Sequence, residues 1–155
     1  MLSLPLLQLI QARVTGPSEH AGARRAGRAS LVAVPVAQLG SISLDCEDPA
    51  TLAAFWAALL GGQVAYQSEE FVAVRTPRGW LTAVKVPGYL PPTWPQGPRP
   101  KQVHLDLSVD DLDQASAEAL RLGAHEAPIQ PAPERWRVLL DPAGHPFCLS
   151  TQIPD

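Results

Sequence analysis

The feature that most limits how this chain can fold is an order of elements that occurs twice. From Ser41, the string SISLDC alternates small or polar with apolar residues, as a half-buried strand does. Asp48 then offers a helix N-cap and Pro49 suits the first helical position. Leu52, Phe55, Trp56 and Leu59 form an apolar stripe at helical spacing, which stops at Gly61-Gly62. Strands are expected near 63–68, 71–76 and 80–86, the last two joined by a Pro/Gly turn, Thr76-Pro77-Arg78-Gly79. The order then recurs. VHLDLSV reads as a strand, Asp110 and Asp111 offer the cap, and Leu112, Ala115, Ala119 and Leu122 form the stripe that Gly123 ends. Strands near 125–130, 135–140 and 146–151 follow, with Asp141-Pro142-Ala143-Gly144 as the last turn. Moving 63 positions along the chain takes Asp48 onto Asp111 and Ser41 onto His104. A duplicated βαβββ unit explains this better than two unrelated halves.

The remaining chain supports one domain. With 155 residues and 46% apolar content, one compact core is the expectation. Residues 1–38, which include GPSEHAGARRAGRAS, show neither a helical stripe nor strand alternation and read as a flexible N-terminal extension. The domain is expected over 39–155, with units at about 40–86 and 102–152. Residues 87–101, PGYLPPTWPQGPRPK, form a proline-rich linker whose Tyr89 and Trp94 either pack back on the sheet or cover a ligand. A net charge of -3 without a long Lys/Arg run argues against nucleic acid or a membrane as partner. The apolar start MLSLPLLQLI is too short to span a bilayer and lacks a preceding positive segment, so a cytoplasmic protein is expected. Cys46 and Cys148 are too widely spaced for a CxxC-type site and read as reduced thiols.

DPATLAAFW after the first strand, HLDLSVDDLD opening the second unit and DPAGHPFCL closing it resemble the glyoxalase/bleomycin resistance/dioxygenase superfamily, also called vicinal oxygen chelate proteins. The similarity covers about residues 40–152, in particular to small bacterial glyoxalase-like proteins. It implies an α+β fold in which two tandem βαβββ units form a curved, open, barrel-like sheet cleft. In metal-dependent members of that superfamily, four inward residues, on the first, fourth, fifth and eighth strands, hold a divalent ion. Carried onto this chain, those positions fall on Ser41, His104 and Cys148, with either Lys85 or Ala83 on the fourth strand.

Only His104 in that set is a good ligand, and Cys148 is a soft second, so the expectation is a cleft without metal or other cofactor. Strand alternation places His104, Asp106 and Ser108 on one face of the fifth strand, and Ser41, Ser43 and Asp45 on the equivalent face of the first. These sets, with Lys85, Cys148 and Trp94, are the candidate ligand-binding residues. The expected function is binding of a small molecule, as resistance-type relatives do, with a homodimer as a further possibility. The alternative is a metal-independent lyase or isomerase in which His104 is the general base, tuned by Asp106 or Asp45, and Lys85 stabilises an oxyanion. Cys148 as a nucleophile activated by His104 is a variant of it. A divalent-metal enzyme and a pure interaction module are more remote. Trp136, between Arg135 and Arg137, reads as core or cleft wall, and His145 as an exposed turn residue.

Overall fold

The computed structural model describes residues 36–154, so most of the expected N-terminal extension lies outside the described residues. The first unit comprises β1 (Ser41–Cys46), α1 (Pro49–Leu59), β2 (Gln63–Gln67), β3 (Phe71–Thr76) and β4 (Gly79–Lys85). The second comprises β5 (Leu105–Ser108), α2 (Leu112–Arg121), β6 (His125–Glu126), β7 (Trp136–Leu140) and β8 (Pro146–Ser150). Each unit is a four-stranded mixed sheet, ordered β1-β4-β3-β2 and β5-β8-β7-β6, with the first strand parallel to the last. The α+β fold of two tandem units is therefore as the repeat implies, and the sheets do not close into a barrel.

Local chemistry explains the helix ends. The Asp48 carboxylate accepts from the backbone N–H of Ala50 and Thr51 at 3.0 and 3.1 Å, and Asp111 does the same for Asp113 and Gln114 at 2.8 and 3.0 Å. Each satisfies donors that the first turn leaves unpaired. The stripes face the sheets: Leu52, Phe55 and Trp56 are buried on α1, as are Leu112 and Ala119 on α2. Phe55, Trp56 and Phe147 meet edge to face with centroids 5.2 to 5.9 Å apart, so one core joins α1 of the first unit to β8 of the second.

The expected strand at 125–130 is only two residues long, because Pro128, Pro131 and Pro133 remove the donors a longer strand needs. Gln130 fills the gap. Its side-chain amide accepts from Val138 N at 2.8 Å and donates to Val138 O at 2.7 Å and Ala127 O at 3.0 Å, imitating a strand backbone.

The two halves are also tied by a buried carboxylate. Asp141, 1% exposed, accepts from the Trp56 indole Nε1 at 3.1 Å, from the backbone N–H of Ala143 and His145 at 2.9 Å each, and from His145 Nδ1 at 2.9 Å. The linker docks on the same turn: a Cβ at Gly144, whose φ is +87°, would stand 2.6 Å from Pro91 Cβ. Trp56→Phe keeps an aromatic ring but deletes the indole donor to this carboxylate and leaves a small gap in the core. Urea unfolding is expected to show a loss of about 1–3 kcal/mol; a loss below about 0.5 kcal/mol would mean that the other donors suffice.

Candidate functional site

The cleft-facing residues follow from strand register, since directly opposed residues share a face. In the first sheet Ser43 lies opposite Thr82, whereas Leu44 and Cys46 on the helix face lie opposite Ala83 and Lys85. Ser41 Oγ and Thr82 Oγ1 are 3.1 Å apart. In the second sheet Asp106 lies opposite Cys148, and His104 Nε2 is 3.0 Å from Cys148 Sγ. Ser41, Ser43 and Thr82 are thus the counterparts of His104, Asp106 and Cys148.

This corrects the fourth-strand assignment: the position is Thr82, neither Ala83 nor Lys85. The cause is one residue in a turn. The register equates Thr82 with Cys148, an offset of 148 − 82 = 66, and Ala73 with Val138, an offset of 138 − 73 = 65. The second turn is therefore one residue longer, and a one-residue slip exchanges the faces of a strand. Ala83 is buried against the helix, and Lys85 is exposed beside the Asp48 cap, whose carboxyl is held below its ordinary pKa first by its hydrogen bonds to Thr51 and least by the Lys85 charge.

Of the candidate residues, the fold brings together His104, Asp106, Cys148 and Trp94. The Trp94 ring, carried by the linker, stacks on His104 with centroids 5.8 Å apart and an interplanar angle of 21°. Trp94 is held by an Nε1 hydrogen bond to Ile129 O at 3.3 Å, and Lys101 Nζ lies 5.6 Å from its centroid. Asp106 Oδ1 is 3.6 Å from His104 Nε2 and remains 58% exposed. Trp136 is partly buried and packs against the small cluster of Ala127, Val138 and Cys148. Among the described residues, no hydrogen bond links Ser41, Ser43, Asp45 or Lys85 to this group. Ser43 and Asp45 instead line a separate cavity of about 310 Å³.

Burial dominates the protonation of the cluster. It pulls His104 below its ordinary pKa against the opposing pull of Asp106, and pushes the Cys148 thiol up to about 11, with Asp106 adding to the rise. The contact is hence between neutral imidazole and thiol, which does not favour Cys148 as a nucleophile. His104 Nδ1 is buried without a partner among the described residues.

Asp106 also reaches a second space. A cleft of about 620 Å³ between β1, the β3–β4 turn and β5 is lined by Ile42, Leu60, Trp80 and Leu107, with Arg78, Asp106, Ser108 and Asp110 as charged and polar groups. One residue that the sequence misplaced is His145: its side chain is 17% exposed and bonds both Asp141 and Tyr89, whose hydroxyl lies 3.0 Å from His145 Nε2. The four-residue spacing of Asp141 and His145 across a Pro/Gly turn was the available signal.

A sequence model of the Glyoxalase-like domain family matches residues 41–150. The chain belongs to this family. Solved structures agree on the fold of this glyoxalase-like protein. A glyoxalase/bleomycin resistance protein/dioxygenase family enzyme from Burkholderia phytofirmans superposes with a TM-score of 0.55 at 20% identity, over 73% of this chain and 97% of that one. A fosfomycin resistance protein from Mesorhizobium loti gives 0.56 at 15% identity, over 77% and 95%. Another from Listeria monocytogenes, solved with Mn(II) and dihydroxypropylphosphonic acid, gives 0.59 at 16% identity, over 77% and 95%. No curated protein matches the chain.

The residues present do not fit the hard divalent ion of metal-dependent relatives. Ser41 and Thr82 offer hydroxyls bonded to each other, where carboxylate or imidazole donors are wanted. His104, Asp106 and Cys148 have ligand atoms within 4.8 Å of one another, but the N···S distance between His104 and Cys148 is 3.0 Å. Two such ligands on one tetrahedral zinc stand roughly 3.6 Å apart, from bond lengths of about 2.1 and 2.3 Å. Elemental analysis of the gently purified protein is expected to find no stoichiometric manganese, nickel, iron or zinc; one tightly held ion per chain would overturn this.

The thiols also predict a pH response. Cys46 and Cys148 are both raised from 9.0 to about 11, so the folded state keeps protons that the unfolded chain releases. Stability is full below about pH 9 and is lost as pH rises through about 11. Unfolding free energy measured across this window should fall less steeply in a Cys46→Ala/Cys148→Ala variant than in the parent protein.

Proposed function

We propose that this protein binds a small molecule with an apolar body and a polar end, without a metal ion, at the junction of β1 and β5. The observation that carries this reading is the double role of Asp106, which contacts His104 on one side and lines the 620 Å³ cleft on the other. The volume lies within the range of about 300–1,000 Å³ usual for ligand sites, and an apolar wall facing the charged and polar groups Arg78, Asp106, Ser108 and Asp110 suits a ligand with both an apolar and a polar part. Leu60, Leu107 and Trp80 would cover the apolar body. The polar end would meet Asp106, with neutral His104 behind it fixed by Trp94 and Cys148.

The shared fold with fosfomycin resistance proteins and glyoxalase-related enzymes supports small-molecule binding as the class of activity. It does not transfer their substrates. A cytoplasmic setting and a homodimer belong to the same reading. Among the described residues no helix is long and apolar enough to cross a membrane.

The test is a thermal-shift screen of small metabolites and antibiotics followed by two variants. A ligand present at about 100 times its Kd stabilises by about 2.7 kcal/mol. Asp106→Asn, at an exposed position, should leave the unliganded protein within about 0.5 kcal/mol of the parent and weaken binding of a hit about tenfold. Leu60→Trp, which fills the cleft, should abolish it. Hits that bind both variants as tightly as the parent would refute the assignment.

A further inference from the structure

The 310 Å³ cavity has a construction unlike the His104 cluster. It lies where the linker crosses β1, and its walls mix Leu44, Val103 and Phe147 with Asp45, Tyr89 and Arg99. The Tyr89 hydroxyl is the end of a relay. Asp141 is buried and faces His145 Nδ1 at 2.9 Å; in the tautomer that donates from Nδ1 to this carboxylate, Nε2 accepts from the Tyr89 hydroxyl at 3.0 Å. Burial first, and Asp141 next, raise the Tyr89 pKa well above its ordinary value, so the phenol keeps its proton. With that proton committed to His145, the phenol oxygen presents lone pairs and acts as an acceptor.

Arg99 provides the opposite pole. Its Nε donates to Pro91 O at 2.9 Å, which fixes the guanidinium, while its terminal nitrogens make no hydrogen bond among the described residues. Asp45 opposes a purely anionic ligand and Arg99 a purely cationic one. A ligand that satisfies both carries both charges, with an apolar part for the remaining walls.

We infer that this cavity is a second binding site, separate from the Asp106 cleft, for a small zwitterion with an apolar body, of which an apolar α-amino acid is the simplest example. The ammonium group is taken by Asp45 and the Tyr89 oxygen, and the carboxylate by Arg99. Asp141 and His145 are positioning residues that set the direction of the Tyr89 hydroxyl. The cavity is open to solvent at Asp45 and Arg99, so binding is weak and reversible.

The test uses the full 155-residue chain, labelled with nitrogen-15, and three probes of one shape: L-leucine, 3-methylbutylamine and 4-methylpentanoate. Trp56 also lines the cavity, so its indole N–H signal and the Gln102 side-chain amide report occupancy. Leucine should shift both signals saturably, and each singly charged probe should bind about tenfold more weakly. Asp45→Asn and Arg99→Gln should each cost leucine about tenfold, whereas Asp106→Asn should leave its binding unchanged. Absence of a saturable shift at tens of millimolar leucine, or equal binding of all three probes, overturns the inference. The probe comparison needs no variant, so a substitution that fails to fold does not block the decision. Loss of leucine binding in Asp106→Asn would instead place the zwitterion in the other cleft and equally overturn it.

Discussion

The arrangement of the two units rests on one buried carboxylate. Asp141 sits in the turn between β7 and β8, yet it takes a hydrogen bond from Trp56, on the helix of the other unit. An unpaired buried carboxylate would cost several kcal/mol, so its donors are a condition of folding and not a refinement of it. Because Trp56 also belongs to the aromatic cluster with Phe55 and Phe147, the polar bond and the apolar core fix the same contact. The same residue orients His145, and through it Tyr89, so the linker is anchored where the two units meet.

Duplication produced equivalent positions that are no longer chemically equivalent. Ser41 and Thr82 in the first unit form a hydroxyl pair, while His104 and Cys148 in the second form an imidazole–thiol pair stacked under Trp94. Both pairs are held by the same parallel register between the first and last strands of their unit. Two hydroxyls bound to each other contribute little to a metal site. Of the two residue pairs, it is therefore the one on β5 and β8 that carries ionisable side chains, with burial lowering the pKa of His104 and raising that of Cys148.

Much of this was legible in the residues themselves. Asp48 and Asp111 mark the helix starts, and the stripes identify the buried helix faces, because capping and periodicity are local effects. Alternation on β5 correctly separates His104 and Asp106 from Leu105 and Leu107, which pack into the core. The fourth-strand position was not legible. It depends on whether a turn has one residue more or fewer, and either choice is compatible with the local pattern. His145 was misjudged for a similar reason, since a histidine in a Pro/Gly turn is ordinarily exposed, and here the linker covers it with Tyr89.

The sequence by itself determined the element order, the duplication, the α+β class and the resemblance to the glyoxalase-like family, all of which follow from periodicity, capping residues and short motifs. Only the tertiary structure decided which residues share a space. Ser43 and Asp45 were expected beside His104, but they line a cavity with Tyr89 and Arg99, while Asp106 joins His104 to a different cleft. Periodicity states which face of a strand a side chain occupies. What stands opposite that face depends on how two sheets and a fifteen-residue linker pack, and this is set by contacts such as Trp56 with Asp141 that are remote in sequence.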